Sequence, residues 1–248
     1  MGECKGCFKA IDKTMTVEFN SEGGISMPKG KRAIKIKNST ETISPTKIIC
    51  LGRNYRRHAE ELGNLVPDKP IIFLKPPSSL IVEGEKIILP SQSQDVHHEV
   101  ELGVVIGKAG RHIPRAKAEG HILGYCILLD ITARDIQKEE TRRGAPWALA
   151  KGFDTFAPVS QIVRREELAH PEDLAIRLWV NGETRQDSNT RFMIFGIAEI
   201  VEYISSYMTL EAGDIIATGT PEGVGPIRKG DVITAEIEGI GKVRFEVG

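Results

Sequence analysis

The stretch that decides the fold of this chain is His97-His98-Glu99-Val100-Glu101-Leu102-Gly103-Val104-Val105-Ile106. Apolar residues recur at every second position from Val100 onward, which predicts a β-strand. Because side chains at i and i+2 share a face of a strand, Glu99 and Glu101 lie together on the face opposite the apolar residues. Two carboxylates about 7 Å apart repel each other unless a proton or a cation lies between them. The alternative is a solvent-facing strand edge that carries two ordinary glutamates.

The composition of the whole chain is that of a globular protein with a substantial core. It has 248 residues, of which 40% are hydrophobic, and a formal net charge of −1. This length suits one large β-rich domain, or a large domain with a small one. The balanced charge gives no electrostatic reason to expect binding to nucleic acid or to an anionic membrane. The sequence has no apolar run of about eighteen residues and no signal-peptide pattern, so we expect a cytoplasmic protein.

Residues 1–45 are predicted to form a small β-rich N-terminal domain, with residues 46–248 as the larger one. The first part is polar, with weak apolar alternation at residues 15–19 and 33–36, and Ser44-Pro45 marks a turn. Cys4 and Cys7 form an isolated C-x-x-C motif. Neither a second metal-binding pair nor a thioredoxin-like context follows, so we expect no function for it. Cys50 and Cys126 lie in apolar, strand-like runs, which predicts buried thiols.

A helix is predicted directly after the first buried strand of the larger domain, residues 47–52. Asn54 is its expected N-cap, and Gly63 ends it. His58 and Glu61 are then three positions apart and share a helix face. A carboxylate on one imidazole nitrogen raises the basicity of the other, which is the layout of a general base. The alternative is a solvated His–Glu pair.

Three further polar residues stand in or beside apolar stretches. Lys75 ends a predicted strand that runs into a proline-stiffened loop, which is either a pocket wall or a plain turn. Asp130 interrupts an apolar run, and a buried carboxylate needs a hydrogen bond, a counter-charge or a metal. Arg134, four residues later, is one possible partner for it. Lys151 lies among small and apolar residues, so it either extends to solvent or faces an anion.

The C-terminal third is predicted to contain a hairpin at the Asn181-Gly182 turn, a helix and two closing strands. Asn189 or Thr190 is the expected N-cap of the helix. The glycine-rich stretch from residue 218 to residue 225 indicates backbone that passes close to a ligand or a metal. The apolar stripe that predicts the helix is formed by Met193, Ile194, Ile197, Ala198, Val201, Ile204 and Met208.

Glu99, Glu101 and Asp130 together form an all-carboxylate set. Hard oxygen donors suit Mg²⁺, Mn²⁺ or Ca²⁺ rather than zinc or copper. Three protein ligands leave about three octahedral positions for a bidentate substrate, such as a 2-oxo acid, and for water. The metal would act as a Lewis acid that stabilises an enolate. His58 would deprotonate the water, and Lys151 would pair with a carboxylate or oxyanion of the substrate.

Residues 46–248 resemble the fumarylacetoacetate hydrolase family. Each motif is weak alone, but the whole set in this order is specific. The motifs are Gly52-Arg53-Asn54-Tyr55 with His58 and Glu61, Lys75-Pro76-Pro77-Ser78, His98-Glu99-Val100-Glu101-Leu102, Leu129-Asp130-Ile131-Thr132-Ala133-Arg134-Asp135-Ile136-Gln137, Lys151-Gly152-Phe153-Asp154, Ser188-Asn189-Thr190 and Thr218-Gly219-Thr220-Pro221-Glu222-Gly223-Val224-Gly225.

The resemblance implies a mainly β fold with a few helices (α+β), a mixed β-sandwich roll, and usually a homodimer. It implies Mg²⁺ or Mn²⁺ on the three carboxylates. His58 and Glu61 match the family's mobile lid dyad, and Lys151 matches its active-site lysine. The positions that match the family's substrate-binding residues are Arg53, Asn54, Lys75, Ser78, Gln137 and Thr220.

The predicted function is metal-dependent hydrolysis of a carbon–carbon bond in an acylpyruvate-type β-diketo acid. Water activated by His58 adds to the distal carbonyl while the metal holds the 2-oxo acid end, and pyruvate enolate departs. The family also contains oxaloacetate-type decarboxylases and isomerases or decarboxylases of 2-hydroxyhepta-2,4-diene-1,7-dioate, which share the metal site. A non-catalytic protein that binds small oxo acids is the more distant alternative.

Overall fold

The computed structural model describes residues 32–61, 63 and 65–248. Within them, one compact unit runs from Arg32 to Gly248. The fold is mainly β with few helices, which confirms the predicted class. The weak alternation at residues 15–19 and the motif of Cys4 and Cys7 lie outside the described residues. The N-terminal domain of residues 1–45 therefore stays a prediction.

The described ranges contain eighteen strands, four α-helices and four short 3-10 helices. The strands are β1 (Ile34–Lys35), β2 (Thr42–Ile43), β3 (Ile48–Gly52), β4 (Ile71–Lys75), β5 (Leu80–Val82), β6 (Lys86–Ile87), β7 (Val96–His98), β8 (Val100–Ile106), β9 (Ile122–Leu129), β10 (Thr132–Ala133), β11 (Ala157–Val159), β12 (Val163–Arg164), β13 (Ala175–Val180), β14 (Glu183–Asn189), β15 (Ile215–Ala217), β16 (Gly225–Pro226), β17 (Val232–Ile237) and β18 (Gly241–Val247). The α-helices are α1 (Arg56–Glu61), α2 (Arg134–Arg142), α3 (Ala148–Lys151) and α4 (Ile197–Tyr207). The 3-10 helices are Pro77–Ser79, Arg115–His121, Arg165–Glu167 and Thr190–Phe192.

The strand quoted first, β8, lies at the centre of an eight-stranded sheet. The order is β4-β3-β15-β8-β9-β11-β5, with β12 paired to β9. β8 is antiparallel to both neighbours, with Val100 opposite Leu129 on β9 and Gly103 opposite Ala217 on β15. All of β8 is buried, because a central strand of this sheet is covered on both faces. The solvent-facing alternative for the two glutamates is therefore wrong.

The predicted alternation along β8 separates two apolar cores. Val100, Leu102 and Val104 face the larger core, to which a second sheet in the order β14-β13-β17-β18-β6 also contributes. The opposite face borders a smaller core that contains Cys50 and Cys126. Burial raises the pKa of both thiols, that of Cys126 to about 12. Both cysteines are therefore buried thiols, as predicted.

The predicted strand is broken at one residue, Glu99. β7 belongs to a small sheet in the order β10-β7-β16, and β8 starts at Val100. At this step the backbone carbonyl of Glu99 accepts the Asp130 N–H at 2.8 Å. Asp130 follows the last residue of β9 rather than interrupting a strand. The break brings the two acidic residues to the same end of the central sheet.

The helix that carries His58 starts later than predicted. α1 begins at Arg56 and ends before Gly63, whose φ is +66°. The N-cap prediction for Asn54 is wrong, because its side-chain oxygen accepts the Phe195 N–H at 2.8 Å. Its amide nitrogen donates to the carbonyls of Phe195 at 3.1 Å and Thr218 at 2.8 Å. Asn54 therefore ties two distant loops together.

The C-terminal helix is shorter than predicted. α4 begins at Ile197, because Gly196 before it is extended, so the first two residues of the apolar stripe lie outside the helix. Asn189 accepts the Arg191 N–H at 2.8 Å and caps the preceding 3-10 helix instead. In the described part of the chain, no helix is long and apolar enough to cross a membrane.

A substitution at Gly103 tests how tightly the side chains of the central sheet are packed. A Cβ atom at this position would lie 2.6 Å from the Cys126 Sγ and 3.4 Å from the Cys126 carbonyl oxygen. Gly103→Ala is therefore expected to lower the free energy of unfolding by about 1–3 kcal/mol, the usual range for overpacking. Gly120→Ala is the control, because nothing lies within 4 Å of its Cβ position. Urea unfolding followed by circular dichroism compares the two, and equal stabilities would contradict the packing described.

Candidate active site

Three buried carboxylates meet at one end of the central sheet. Glu99 and Glu101 flank the first residue of β8, and Asp130 follows the neighbouring strand β9. One oxygen of each lies within 4.8 Å of the others, and the residues are 4%, 1% and 1% exposed, respectively. The backbone hydrogen bond between Glu99 and Asp130 fixes this approach. The structure thus brings together all three predicted metal ligands.

Two buried lysines form ion pairs with Asp130. Lys151, the last residue of α3, lies 2.5 Å from Asp130 Oδ2 and 2.9 Å from Glu99 Oε2, and donates to Thr132 Oγ1 at 2.6 Å. Lys75 Nζ lies 2.8 Å from Asp130 Oδ1. Its ammonium also donates to three backbone carbonyls at 2.7–2.9 Å. Burial lowers the pKa of Lys75, although Asp130 opposes the shift.

Arg134 does not pair with Asp130, so that expectation is wrong. Arg134 begins α2, and its guanidinium forms a buried ion pair with Glu99 Oε1. It also donates to Gln137 Oε1 at 2.6 Å. The helix therefore turns the guanidinium toward the neighbouring glutamate, while the lysines serve Asp130.

The carboxylates differ in how far nearby cations neutralise their negative charge. Burial alone would raise the pKa of Glu99, but Lys151 and Arg134 lower it below its usual range. Burial raises the pKa of Glu101 well above its usual range, and Asp130 and Glu99 raise it further. Glu101 Oε2 accepts the N–H of residue 219 at 2.8 Å, but no cationic side chain within the described ranges pairs with it. Glu101 therefore gains most from an additional cation.

The donor set fits a hard divalent metal ion. Its ligands are carboxylate oxygens, which Mg²⁺ and Mn²⁺ prefer. Among the described residues Glu101 has no cationic partner, and its carboxylate accepts one backbone N–H at 2.8 Å. A buried carboxylate without a paired cation is unfavourable, and metal coordination would compensate its charge.

α1 places His58 beside the same cavity. His58 is 5% exposed, and its Nδ1 lies 3.4 Å from Glu61 Oε2. The two Glu61 oxygens also accept the Gly223 N–H, at 3.1 and 3.2 Å. The hydrogen bond with His58 lowers the pKa of Glu61 against the effect of burial, and the Gly223 N–H adds to the shift. Since Nδ1 faces Glu61, Nε2 is the ring nitrogen left for a ligand.

A cavity of about 310 Å³ joins the carboxylates to His58. Eight predicted site residues line it: Arg53, His58, Glu99, Glu101, Asp130, Gln137, Lys151 and Thr220. Four predicted site residues do not line it: Asn54, Glu61, Lys75 and Ser78. Three of these act behind the wall, through the contacts described above. Ser78 lies exposed on its 3-10 helix.

The sequence did not indicate the aromatic part of the cavity wall. Phe73 and Trp147 pack edge to face, with ring centroids 5.5 Å apart. Trp147 Nε1 donates to Thr141 Oγ1 at 2.8 Å, which fixes the indole. The Arg53 Cζ lies 6.0 Å from the Trp147 ring centroid, and the backbone φ of Arg53 is +59°. The sequence did hold one clue to Trp147: it precedes the candidate site residue Lys151 by four positions, about one helical turn.

Residues 47–248 match the fumarylacetoacetate (FAA) hydrolase C-terminal family. The chain belongs to this family. It is 50% identical to the mitochondrial oxaloacetate tautomerase of Arabidopsis thaliana, over 82% of this chain and 91% of that protein. Its fold superposes with a TM-score of 0.85 on the crystal structure of Pseudomonas aeruginosa fumarylpyruvate hydrolase in complex with Mn²⁺ and pyruvate, at 37% identity over 89% and 97% of the two chains. For the 5-carboxymethyl-2-hydroxymuconate delta-isomerase of Mycobacterium smegmatis, the TM-score is 0.75, at 43% identity over 83% and 80%.

The predicted family and its fold are thereby confirmed. This member of the fumarylacetoacetate hydrolase family has relatives named for hydrolase, isomerase and tautomerase reactions. The site residues carried over from the family stay predictions of role, although their positions are now described. The homodimer and the cytoplasmic location also stay predictions.

Removal of the least neutralised carboxylate tests the metal site. Glu101→Gln keeps the shape of the side chain but removes a charged ligand, so we expect Mn²⁺ affinity to fall at least about 100-fold. Isothermal titration with Mn²⁺ measures this. Glu60→Gln is the control, because Glu60 is exposed on α1 and outside the cavity lining. Unchanged Mn²⁺ affinity in Glu101→Gln would contradict the assignment.

Proposed function

We propose that this chain catalyses keto–enol tautomerisation of oxaloacetate, or of a closely similar 2-oxo dicarboxylic acid, with a divalent metal ion on Glu99, Glu101 and Asp130. The observation that carries the proposal is one cavity lined by both a hard-metal triad and a histidine backed by a carboxylate. The choice of reaction is supported by the oxaloacetate tautomerase that is 50% identical over 91% of its length.

Tautomerisation needs a base for a proton on the carbon next to the keto group and stabilisation of negative charge on the keto oxygen. A divalent ion held by Glu99, Glu101 and Asp130 would supply Lewis-acid polarisation of that oxygen. His58 Nε2 takes the proton from carbon, and the Glu61 carboxylate holds the ring and stabilises its protonated form. In the reverse direction His58 returns the proton to carbon, while the oxygen exchanges its own proton with water.

Lys151 supplies positive charge rather than a free hydrogen-bond donor. Its ammonium is directed at Glu99, Asp130 and Thr132, which use its three protons. Burial alone would lower the pKa of Lys151, but Asp130 and Glu99 raise it above its usual value, so it stays a cation. Its fixed charge reduces the repulsion between the buried carboxylates and an anionic substrate.

Hydrolysis of an acylpyruvate is the second candidate. It is supported by the similarity to the fumarylpyruvate hydrolase whose crystal structure contains Mn²⁺ and pyruvate. In this reaction His58 deprotonates a water that adds to the distal carbonyl, and the carbon–carbon bond then breaks to give a carboxylic acid and pyruvate. Oxaloacetate decarboxylation and isomerisation of hydroxymuconate-type dioates also develop charge on the keto oxygen, so both belong in the test.

A substrate panel distinguishes these reactions. We expect enol oxaloacetate to lose its absorbance faster than acetylpyruvate, fumarylpyruvate or a hydroxymuconate-type dioate is consumed, with Mg²⁺ or Mn²⁺ present. EDTA should abolish each activity, because all of them need the same polarised oxygen. Faster cleavage of an acylpyruvate would favour the second candidate. Metal binding without turnover of any substrate would favour the non-catalytic oxo-acid-binding alternative.

His58 is the proposed base, and its removal separates proton transfer from metal binding. His58→Ala is expected to lower the tautomerisation rate by about 10²–10⁴-fold, the usual contribution of a general base. Mn²⁺ affinity should stay within about twofold, since His58 is not a proposed ligand. Stopped-flow measurement of enol decay gives the rate, with His121→Ala outside the cavity lining as the control. A wild-type rate in His58→Ala would mean that another group moves the proton.

A further inference from the structure

Strand β14 carries one fully buried polar side chain, that of Gln186, which lies behind the active-site cavity without lining it. The other residues of β14 are exposed or half-buried. The motifs of the sequence give Gln186 no role. A buried amide must use its donors and its acceptor, so its partners show what it does.

The partners of Gln186 decide the orientation of its amide. Oε1 accepts the Val100 N–H at 3.0 Å and faces His98 Nδ1 at 3.2 Å. A backbone N–H can only donate, so the oxygen of the amide must face Val100. Nε2 therefore donates, to Thr220 Oγ1 at 2.7 Å and to the Pro221 carbonyl at 3.0 Å.

This orientation decides which way the hydroxyl of Thr220 donates. Oγ1 accepts a proton from Gln186, so the single hydroxyl proton of Thr220 must point elsewhere. Within the described residues, nothing accepts that proton. Thr220 is 2% exposed and lines the cavity. Its O–H is therefore available to an oxygen atom of a ligand in the cavity.

We infer that Gln186 is a positioning residue that makes Thr220 a hydrogen-bond donor to a carboxylate or keto oxygen of the 2-oxo acid substrate. The inference rests on the proposed function. The same amide oxygen holds the N–H of Val100, the residue between Glu99 and Glu101. The bond from Val100 therefore anchors the amide to β8, and the anchored amide orients the hydroxyl of Thr220.

Oxalate binding tests this inference, because oxalate is a stable mimic of the planar enolate of a 2-oxo acid. With Mg²⁺ present, calorimetry is expected to show about tenfold weaker oxalate binding for Thr220→Val, which loses one hydrogen bond to an anion. Gln186→Met should weaken binding by about the same factor, because it leaves the Thr220 hydroxyl without the donor that fixes its orientation. The double variant should bind no more weakly than Thr220→Val alone, because Gln186 acts through Thr220. The oxaloacetate KM should rise more than kcat falls. Exposed Gln161→Met is the control and should match the wild type.

Gln186→Glu is the second variant, because it keeps the volume and the acceptor should Gln186→Met fail to fold. Its protonated carboxyl can donate to Thr220, and its ionised form cannot. Relative to the wild type, its oxalate affinity should therefore fall as the pH rises. In a Thr220→Val background only the effect of the added charge should remain, so the fall should be smaller. A merely structural role would give the same pH profile in both backgrounds.

The outcomes separate the inference from the proposed function. Wild-type oxalate affinity in a folded Gln186→Met, or losses that add fully in the double variant, would overturn the inference and leave the proposed function standing. A wild-type protein that binds Mg²⁺ but neither binds oxalate nor turns over any panel substrate would overturn both. Tenfold weakening that disappears in the Thr220→Val background supports the inference.

Discussion

The mutual repulsion of three buried carboxylates is the constraint on which the surrounding structure depends. Negative charges within 4.8 Å of one another in a sheet core are unfavourable unless cations meet them. Lys75 on β4, Arg134 on α2 and Lys151 on α3 provide that charge from three separate elements. Each of these elements therefore does more than cover the sheet, because each places one cationic side chain beside the carboxylates at the end of the sheet.

The three cations are not shared equally among the three carboxylates, and this difference bears on metal binding. Glu99 and Asp130 are paired with buried cations, whereas Glu101 has only a backbone N–H among the described residues. A site neutralised completely by its own lysines and arginine would have little use for a metal. Here Glu101 has no cationic partner among the described residues, and one hard divalent ion fits the three carboxylates.

The remaining parts of the cavity place proton donors and acceptors around that centre. His58 comes from a short helix whose Glu61 accepts the Gly223 N–H, and Thr220 lies in the same loop as Gly223. Gln186 connects this loop to the start of β8. The relatives are named for tautomerase, hydrolase and isomerase reactions, and the proposed arrangement of metal ligands, base and hydroxyl is compatible with all of them.

The sequence by itself determined the strand β8, the proximity of Glu99 to Glu101 and the pairing of His58 with Glu61, because strand and helix periods set which nearby side chains share a face. The order of its motifs also determined the family. Only the tertiary structure decided that lysines rather than Arg134 serve Asp130, that Asn54 ties loops and that Ser78 lies outside the cavity. It also revealed Gln186 and the aromatic wall. These features depend on contacts between residues far apart in the chain, and local periodicity carries no information about which distant segments a sheet brings together.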